Sequence, residues 1–236
     1  MKFFLDTEFH EFKKGKRILG IQTAAIDTID LISIGIVTET GETFYEICNE
    51  FDIEAAWNNE WLNANVLTKL FQDLLNLEAE FPLTNTDVND YTLWNLSYLL
   101  RKQGSTKAVI AKRLKEFVYL HSQINDPEAI ENWEEVKHLF PVEFYGYYAD
   151  YDHIVLCWLF GRMVDMPKGF PYLTLDIKQM MIERKLTDEW KIENCPDPVD
   201  EHNALADALW NKSLYEKVIQ VKIIYVLLSY VFGYIK

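Results

Sequence analysis

The chain has 236 residues, 49% of them apolar, and a formal net charge of -14. That length and apolar share suffice for one globular domain with a substantial core, while the acidic balance excludes a protein that grips nucleic acid chiefly through a broad cationic surface. Cys48, Cys157 and Cys195 lie far apart with no CxxC pair, so neither a disulfide framework nor a zinc site is suggested, and a reducing, cytoplasmic setting fits.

In chain order, Lys2 to Asp6 reads as a short apolar strand, too short for a signal peptide, followed by a polar loop rich in Lys, Gly and Thr. Leu31 to Thr38 and Thr43 to Asn49 are rich in β-branched and aromatic residues around the turn-like Glu39-Thr40-Gly41-Glu42, which predicts a hairpin. Trp57 to Leu77 has helical apolar spacing, and Asn85 to Asn95 is a polar interruption; together they make a helical insertion around 55–100. Ser105 can cap a helix in which Val109, Ile110, Leu114, Phe117 and Val118 form one face and Lys107, Lys112, Arg113 and Lys115 the other. Glu143 to Tyr148 predicts a fourth strand, Tyr151 to Phe160 a helix ending before Gly161, Tyr172 to Leu175 a fifth strand, and Asp176 to Arg184 another helix. The apolar run 223–235, within a terminal segment 221–236, is shorter than the roughly 20 residues a membrane span needs, so no membrane is expected and a packed terminus or dimer contact is. The order implies a single α/β domain, a mixed five-stranded sheet flanked by helices.

Three groups of carboxylates stand out. Asp6 and Glu8, two apart at a strand end, project from one face and can share a metal; taken alone, such a pair is more often a solvated edge. Asp150 and Asp152 lie where an aromatic strand runs into a helix start, where either could be a cap or a functional group. His202 precedes Asp207 by five residues at the mouth of an apolar, Ala-rich helix. Five residues turn a helix by about 140°, so His202 must reach from the first turn or the loop and flank Asp207. An Asp inside an apolar helix needs a partner for its charge, and a metal ion is one.

At these residues the sequence resembles the DEDDh, or DnaQ-like, exonucleases of the ribonuclease H-like fold, with Asp6-Thr7-Glu8-Phe9, Tyr151-Asp152 and His202 to Asp207 as the three motifs. Within that group it is most similar to RNase AS, a ribonuclease family described as favouring poly(A), through Leu31 to Val37, Glu50-Phe51-Asp52, Tyr151-Asp152-His153 and His202 to Asp207. The resemblance implies Asp152 rather than Asp150 and two Mg²⁺ or Mn²⁺ ions about 3.5 to 4 Å apart. Asp6 would bridge them, Glu8 and Asp207 would complete the site of the attacking water, and Asp152 would support the second ion. His202 would take the water proton, and nucleoside 5′-monophosphates would leave singly from the 3′ end of single-stranded RNA. It also implies a homodimer. A DNA exonuclease would use the same five residues, and a binding module on the same fold would not need them all.

Substrate contacts are expected from Thr7 in the first motif, from base stacking on Phe9 and Tyr145 ahead of Tyr147 and Tyr148, and from Lys107 meeting a phosphate, although a charged helix face is more often simply solvated.

Overall fold

The computed structural model describes the backbone of residues 1–15, 17–18, 21–22, 24–80, 90–122, 124 and 141–232, and side chains within 1–15, 24–77, 90–122, 124 and 141–221. A five-stranded sheet organises them. Its strands are β1 (Lys2–Lys14), β4 (Ile26–Thr38), β5 (Thr43–Ile47), β6 (Glu143–Gly146) and β7 (Thr174–Asp176), in the order β5-β4-β1-β6-β7. The first three pair antiparallel, and β6 and β7 join parallel to β1. The result is the expected α/β arrangement, a mixed sheet flanked by helices.

The loop expected after Asp6 is instead strand. β1 runs on to Lys14 and pairs with β4 as far as Ile26, and beyond it β2 (Arg17–Ile18) and β3 (Ile21–Gln22) form a small ladder of their own. A two-stranded arm whose charged side chains face water needs no apolar alternation to pair, so Glu11, Lys13 and Lys14 hide it from a hydrophobic pattern.

The insertion folds as α1 (Ile53–Trp57), α2 (Glu60–Leu62), a π-turn (Asn63–Leu67), α3 (Thr68–Glu80) and α4 (Leu93–Gln103). Of the expected polar interruption Asn85 to Asn95, residues 85–89 lie outside the described residues, and its end already belongs to α4. These helices build one core with Ile32 and Ile47 of the sheet. Helix α5 (Lys107–Ser122) buries Ile110, Leu114 and Val118 and half-buries Phe117, whereas Val109, expected on the same face, is exposed. Its cap differs from expectation: Thr106 Oγ1 accepts from Val109 N at 3.3 Å, whereas the Ser105 hydroxyl accepts from Arg113.

Helix α6 (Asp150–Phe160) and α5 cover one sheet face, around Phe3, Leu5, Ile34 and Phe144. The opposite face, around Phe4, Val37 and Tyr145, is covered by α7 (Ile177–Glu183), α8 (Asp188–Asn194) and α9 (Ala204–Phe232). Helix α8, unexpected from the sequence, is capped by Thr187. The apolar terminal run continues α9 as backbone to Phe232, and its side chains lie outside the described set. No described helix is long and apolar enough to cross a membrane.

Candidate active site

The site forms where β1 outlasts its partner. β6 pairs with β1 only through Lys2, Phe3 and Phe4, which leaves the next backbone groups on that edge without ladder partners, and a buried backbone group must find one. Side chains supply them: Leu5 O accepts from Asn211 Nδ2 at 2.9 Å, and Asp152 Oδ1 accepts from Thr7 N at 2.8 Å and Thr7 Oγ1 at 2.6 Å. The first bond brings α9 to the strand and the second brings α6. Asp152 is thereby buried, whereas Asp150, two residues earlier, is exposed.

Asp6 and Glu8 share the face of β1 that α9 covers. Opposite Asp6 in the β4 register stands Gly35. A Cβ there would lie 2.2 Å from Ala204 O and 2.4 Å from Leu205 N, so only glycine lets the first turn of α9 sit on the sheet. Asn203 caps that turn, its Oδ1 accepting from Leu205 N at 3.1 Å and Ala206 N at 3.0 Å. The positive end of the α9 dipole thus lies beside the carboxylates, which favours anions there.

His202 reaches in from the loop. Its φ is +68°, a left-handed conformation in which His is among the better tolerated residues, and its backbone N–H donates to Asp207 Oδ2 at 2.8 Å. One ligand-type atom from each of Glu8, His202 and Asp207 lies within 4.8 Å of the others. Asp6, His202 and Asp207 open onto a cleft of about 210 Å³ that Tyr147, Lys191 and Trp210 also line.

Crowded carboxylates oppose one another's ionisation. Burial raises Asp6 well above the usual carboxylate range, and Asp152, Glu8 and Asp207 raise it further. Burial, then Asp207 and Asp152, pushes Glu8 up to about 8, against the opposing pull of Lys69. Burial takes Asp152 to about 6 despite its bonds from Thr7, and takes Asp207 to about 6 despite the His202 N–H. An oxygen-rich group that its own protein neutralises so incompletely, with an imidazole at its rim, is chemically suited to hold a divalent metal ion.

Several contacts come from residues the motifs do not mark. Trp61 of α2 meets His202 edge-to-face with centroids 4.8 Å apart. Lys69 of α3 donates to Glu201 O, and Asp73 of the same helix accepts from Asn203 Nδ2 and Tyr45 Oη, each at 2.7 Å. On the other side Trp210 Nε1 donates to Cys195 O at 3.3 Å and Pro196 O at 3.0 Å. Lys191 pairs with Asp197 at 2.7 Å while its ammonium lies 5.1 Å from the Trp210 ring centre. Local sequence could have revealed only Asn203, an Asn just before a helical pattern.

The expected substrate contacts fare differently. Thr7 is buried and spends both donors on Asp152. Tyr145 is 7% exposed, packed on Phe4 and Tyr215, so its ring has no face to offer a base. Lys107 pairs with buried Asp30 at 3.3 Å. Phe9 is partly buried and stacks on Tyr151 at 5.6 Å.

A family model described as the 3′-5′ exoribonuclease Rv2179c-like domain matches residues 1–219. The chain belongs to that family. Two proteins of Mycobacterium tuberculosis, 3′-5′ exoribonuclease Rv2179c of strain H37Rv and 3′-5′ exoribonuclease MT2234.1 of strain CDC 1551, are each 29% identical to it over 212 residues, covering 88% of this chain and 87% of theirs. The match takes in all three carboxylate motifs, the helical insertion and the first half of α9, and stops before the apolar terminal run.

Proposed function

We propose that this protein is a 3′-5′ exoribonuclease of the DEDDh type on a ribonuclease H-like fold, removing nucleoside 5′-monophosphates from single-stranded RNA, with A-rich 3′ ends as the first substrate to try. The convergence of Glu8, His202 and Asp207 beside Asp6 and Asp152 carries the reading, and membership of a family described as exoribonucleases supports the choice of RNA.

Asp6, Glu8, Asp152 and Asp207 would hold two Mg²⁺ or Mn²⁺ ions, which would supply the positive charge that draws in the phosphate and lowers the pKa of the attacking water. The protein's own groups do the rest. Water forms the new bond to the terminal phosphorus while the bond to the penultimate 3′ oxygen breaks, and that oxygen leaves with a proton. His202, held at the cleft by its backbone bond to Asp207, takes the proton that water gives up. Thr7 keeps the Asp152 carboxylate aimed inward. Phe9 remains the base-stacking candidate from the first motif; Tyr145 and Lys107 drop out because burial and the Asp30 pair occupy them. A homodimer is the proposed assembly, and a mass by light scattering that stays monomeric at all concentrations would overturn it.

The function is tested by digesting 5′-labelled oligoadenylate, mixed-sequence RNA and matched DNA with Mg²⁺ or Mn²⁺, beside a His202→Ala variant and an EDTA control. A 3′-end ladder on RNA, lost in both controls, is the expected result. Preferential cutting of DNA would replace the ribonuclease reading with a DNA exonuclease, and no cutting of either would leave a binding module.

A further inference from the structure

A second feature suited to nucleic acid lies outside the carboxylate cleft, on helix α4. That helix turns Leu96, Leu99 and Leu100 into the insertion core. Trp94 and Tyr98, one turn apart, stack nearly parallel, with centroids 5.5 Å apart and 9° between planes; Tyr98 is half-buried against that core, whereas Trp94 stands exposed beyond it. One further turn on, Lys102 Nζ lies 5.9 Å from the Tyr98 ring centre. Trp94 is 59% exposed, although a ring of that size ordinarily gains by burial.

The charge along this stretch of sequence is unlike the rest of the chain. From Tyr91 to Lys115 the sequence holds six cations, Arg101, Lys102, Lys107, Lys112, Arg113 and Lys115, and no Asp or Glu, within a protein of net charge -14. Lys107, Lys112 and Arg113 are used in pairs with Asp30, Glu116 and Glu46, and Lys115 lies over Tyr119, whereas Arg101 and Lys102 lie exposed in the last turn of α4, Lys102 beside the Tyr98 ring. Planar rings that can accept a base, followed by cations that can meet phosphates, form the combination by which single strands are held without sequence demand.

Position adds the last element. Helix α4 packs against α3, and α3 carries Lys69 and Asp73 to the His202 loop. Tyr91, three residues before Trp94, packs on Phe71 of α3 with centroids 5.3 Å apart, so the ladder stands on the same helical insertion that fastens the His202 loop.

We propose that Trp94, Tyr98 and Lys102 form an upstream contact for single-stranded RNA, stacking a base on Trp94 and pairing Lys102 with a phosphate, so that long strands are favoured over short ones. The inference rests on the exoribonuclease reading for its substrate. The test compares the full chain with a Trp94→Ala/Lys102→Ala variant, measuring binding of a long 5′-fluorescein oligoadenylate in EDTA and turnover of a diadenylate with Mn²⁺. The variant is expected to bind the long strand about tenfold more weakly, as loss of one stacked base gives, with a salt slope lower by about one ion, and to turn over diadenylate unchanged. Trp94→Phe should restore most of the binding. Should the double variant prove misfolded by circular dichroism, Lys102→Ala alone must still lower the salt slope. Equal binding of the long strand by both proteins, with diadenylate still cut, would overturn the ladder alone and mark the stacked rings as helix stabilisers; a wild-type protein that neither binds nor cuts RNA would overturn the ladder and the exoribonuclease reading together.

Discussion

The two halves of the cleft are held in place by different means. Asp6 and Glu8 ride on a central strand paired in register with β4 up to a bulge just after Glu8, and Asp152 is locked onto the same strand by two bonds from Thr7. His202 instead sits in a loop, residues 195–203, where Val199 is 100% exposed and the fastening comes from side chains of α3, α8 and α9. Backbone ladders set positions to within the tolerance of the sheet; a loop tied by individual side chains can be loosened one contact at a time. Substitutions on the strand side should therefore act through charge and packing, and substitutions on the loop side through the placement of His202.

The strand half gives the largest expected effect. Asp6→Asn removes a carboxylate whose ionisation is opposed by burial and by three neighbours, so the metal-free variant should melt at a higher temperature than the wild type. Its nuclease activity should fall by more than about a hundredfold, the upper end of what loss of an outer-shell metal partner costs. Stability and activity moving in opposite directions would set this residue apart from a structural one, for which both fall together. Next in size is Gly35→Ala. The added methyl would meet the Ala204 carbonyl at 2.2 Å, inside any normal contact, and forcing α9 off the sheet should cost about 1–3 kcal/mol in chemical denaturation. Activity should fall as well, because Asp207 moves with the helix; an unchanged activity would show that the α9 seat does not set the cleft.

The same division explains what the sequence disclosed. Asp6, Glu8, Asp152, His202 and Asp207 could be read because each belongs to a local pattern, a strand end, a helix start or a helix mouth, and the fold brings them together. Asp150 and Asp152 could not be separated by position in the helix start; the Thr7 bonds that bury one and leave the other exposed are contacts 145 residues apart. Lys69, Asp73 and Trp61 were invisible for a similar reason, since nothing near them in the sequence points toward residue 202 and only the packing of the insertion takes them there. Tyr145 misled because strand alternation does not reveal that both faces of the sheet are covered, and α9 covers this one with Tyr215. Lys107 misled because its partner, Asp30, lies on a strand extension masked by charged residues.

A pH titration of stability sharpens the strand half further. In EDTA the folded protein keeps Glu8 protonated up to about pH 8 and Asp152 and Asp207 up to about 6, whereas the unfolded chain gives those protons up near the ordinary carboxylate values. Across that interval the unfolded state binds fewer protons, so rising pH favours unfolding. The stabilisation is complete below about pH 4 and is lost as pH rises through about 6 and then 8. The melting temperature in EDTA should therefore decline by several degrees between pH 5 and 8, and saturating Mn²⁺ should flatten the slope. A melting temperature that climbs with pH over this interval would mean the carboxylates are not buried against one another.

The smallest effect belongs to the loop, and it decides whether the loop's fastening matters to chemistry. Trp210→Phe keeps the ring against Tyr147 and Lys191 but removes the N–H that holds Cys195 O and Pro196 O. Both carbonyls can turn to water, so the stability loss should stay near 1 kcal/mol. If the strap acts by holding His202, kcat should drop severalfold with KM unchanged, and amide exchange at residues 197–203 should quicken. The same substitution made in a His202→Ala background should then cost nothing more, because the group it positions is gone. A loss of equal size in both backgrounds would separate Trp210 from His202 and leave the strap as packing alone; a loss confined to the wild-type background would make the α8–α9 strap a device that converts a loosely held loop into a placed base.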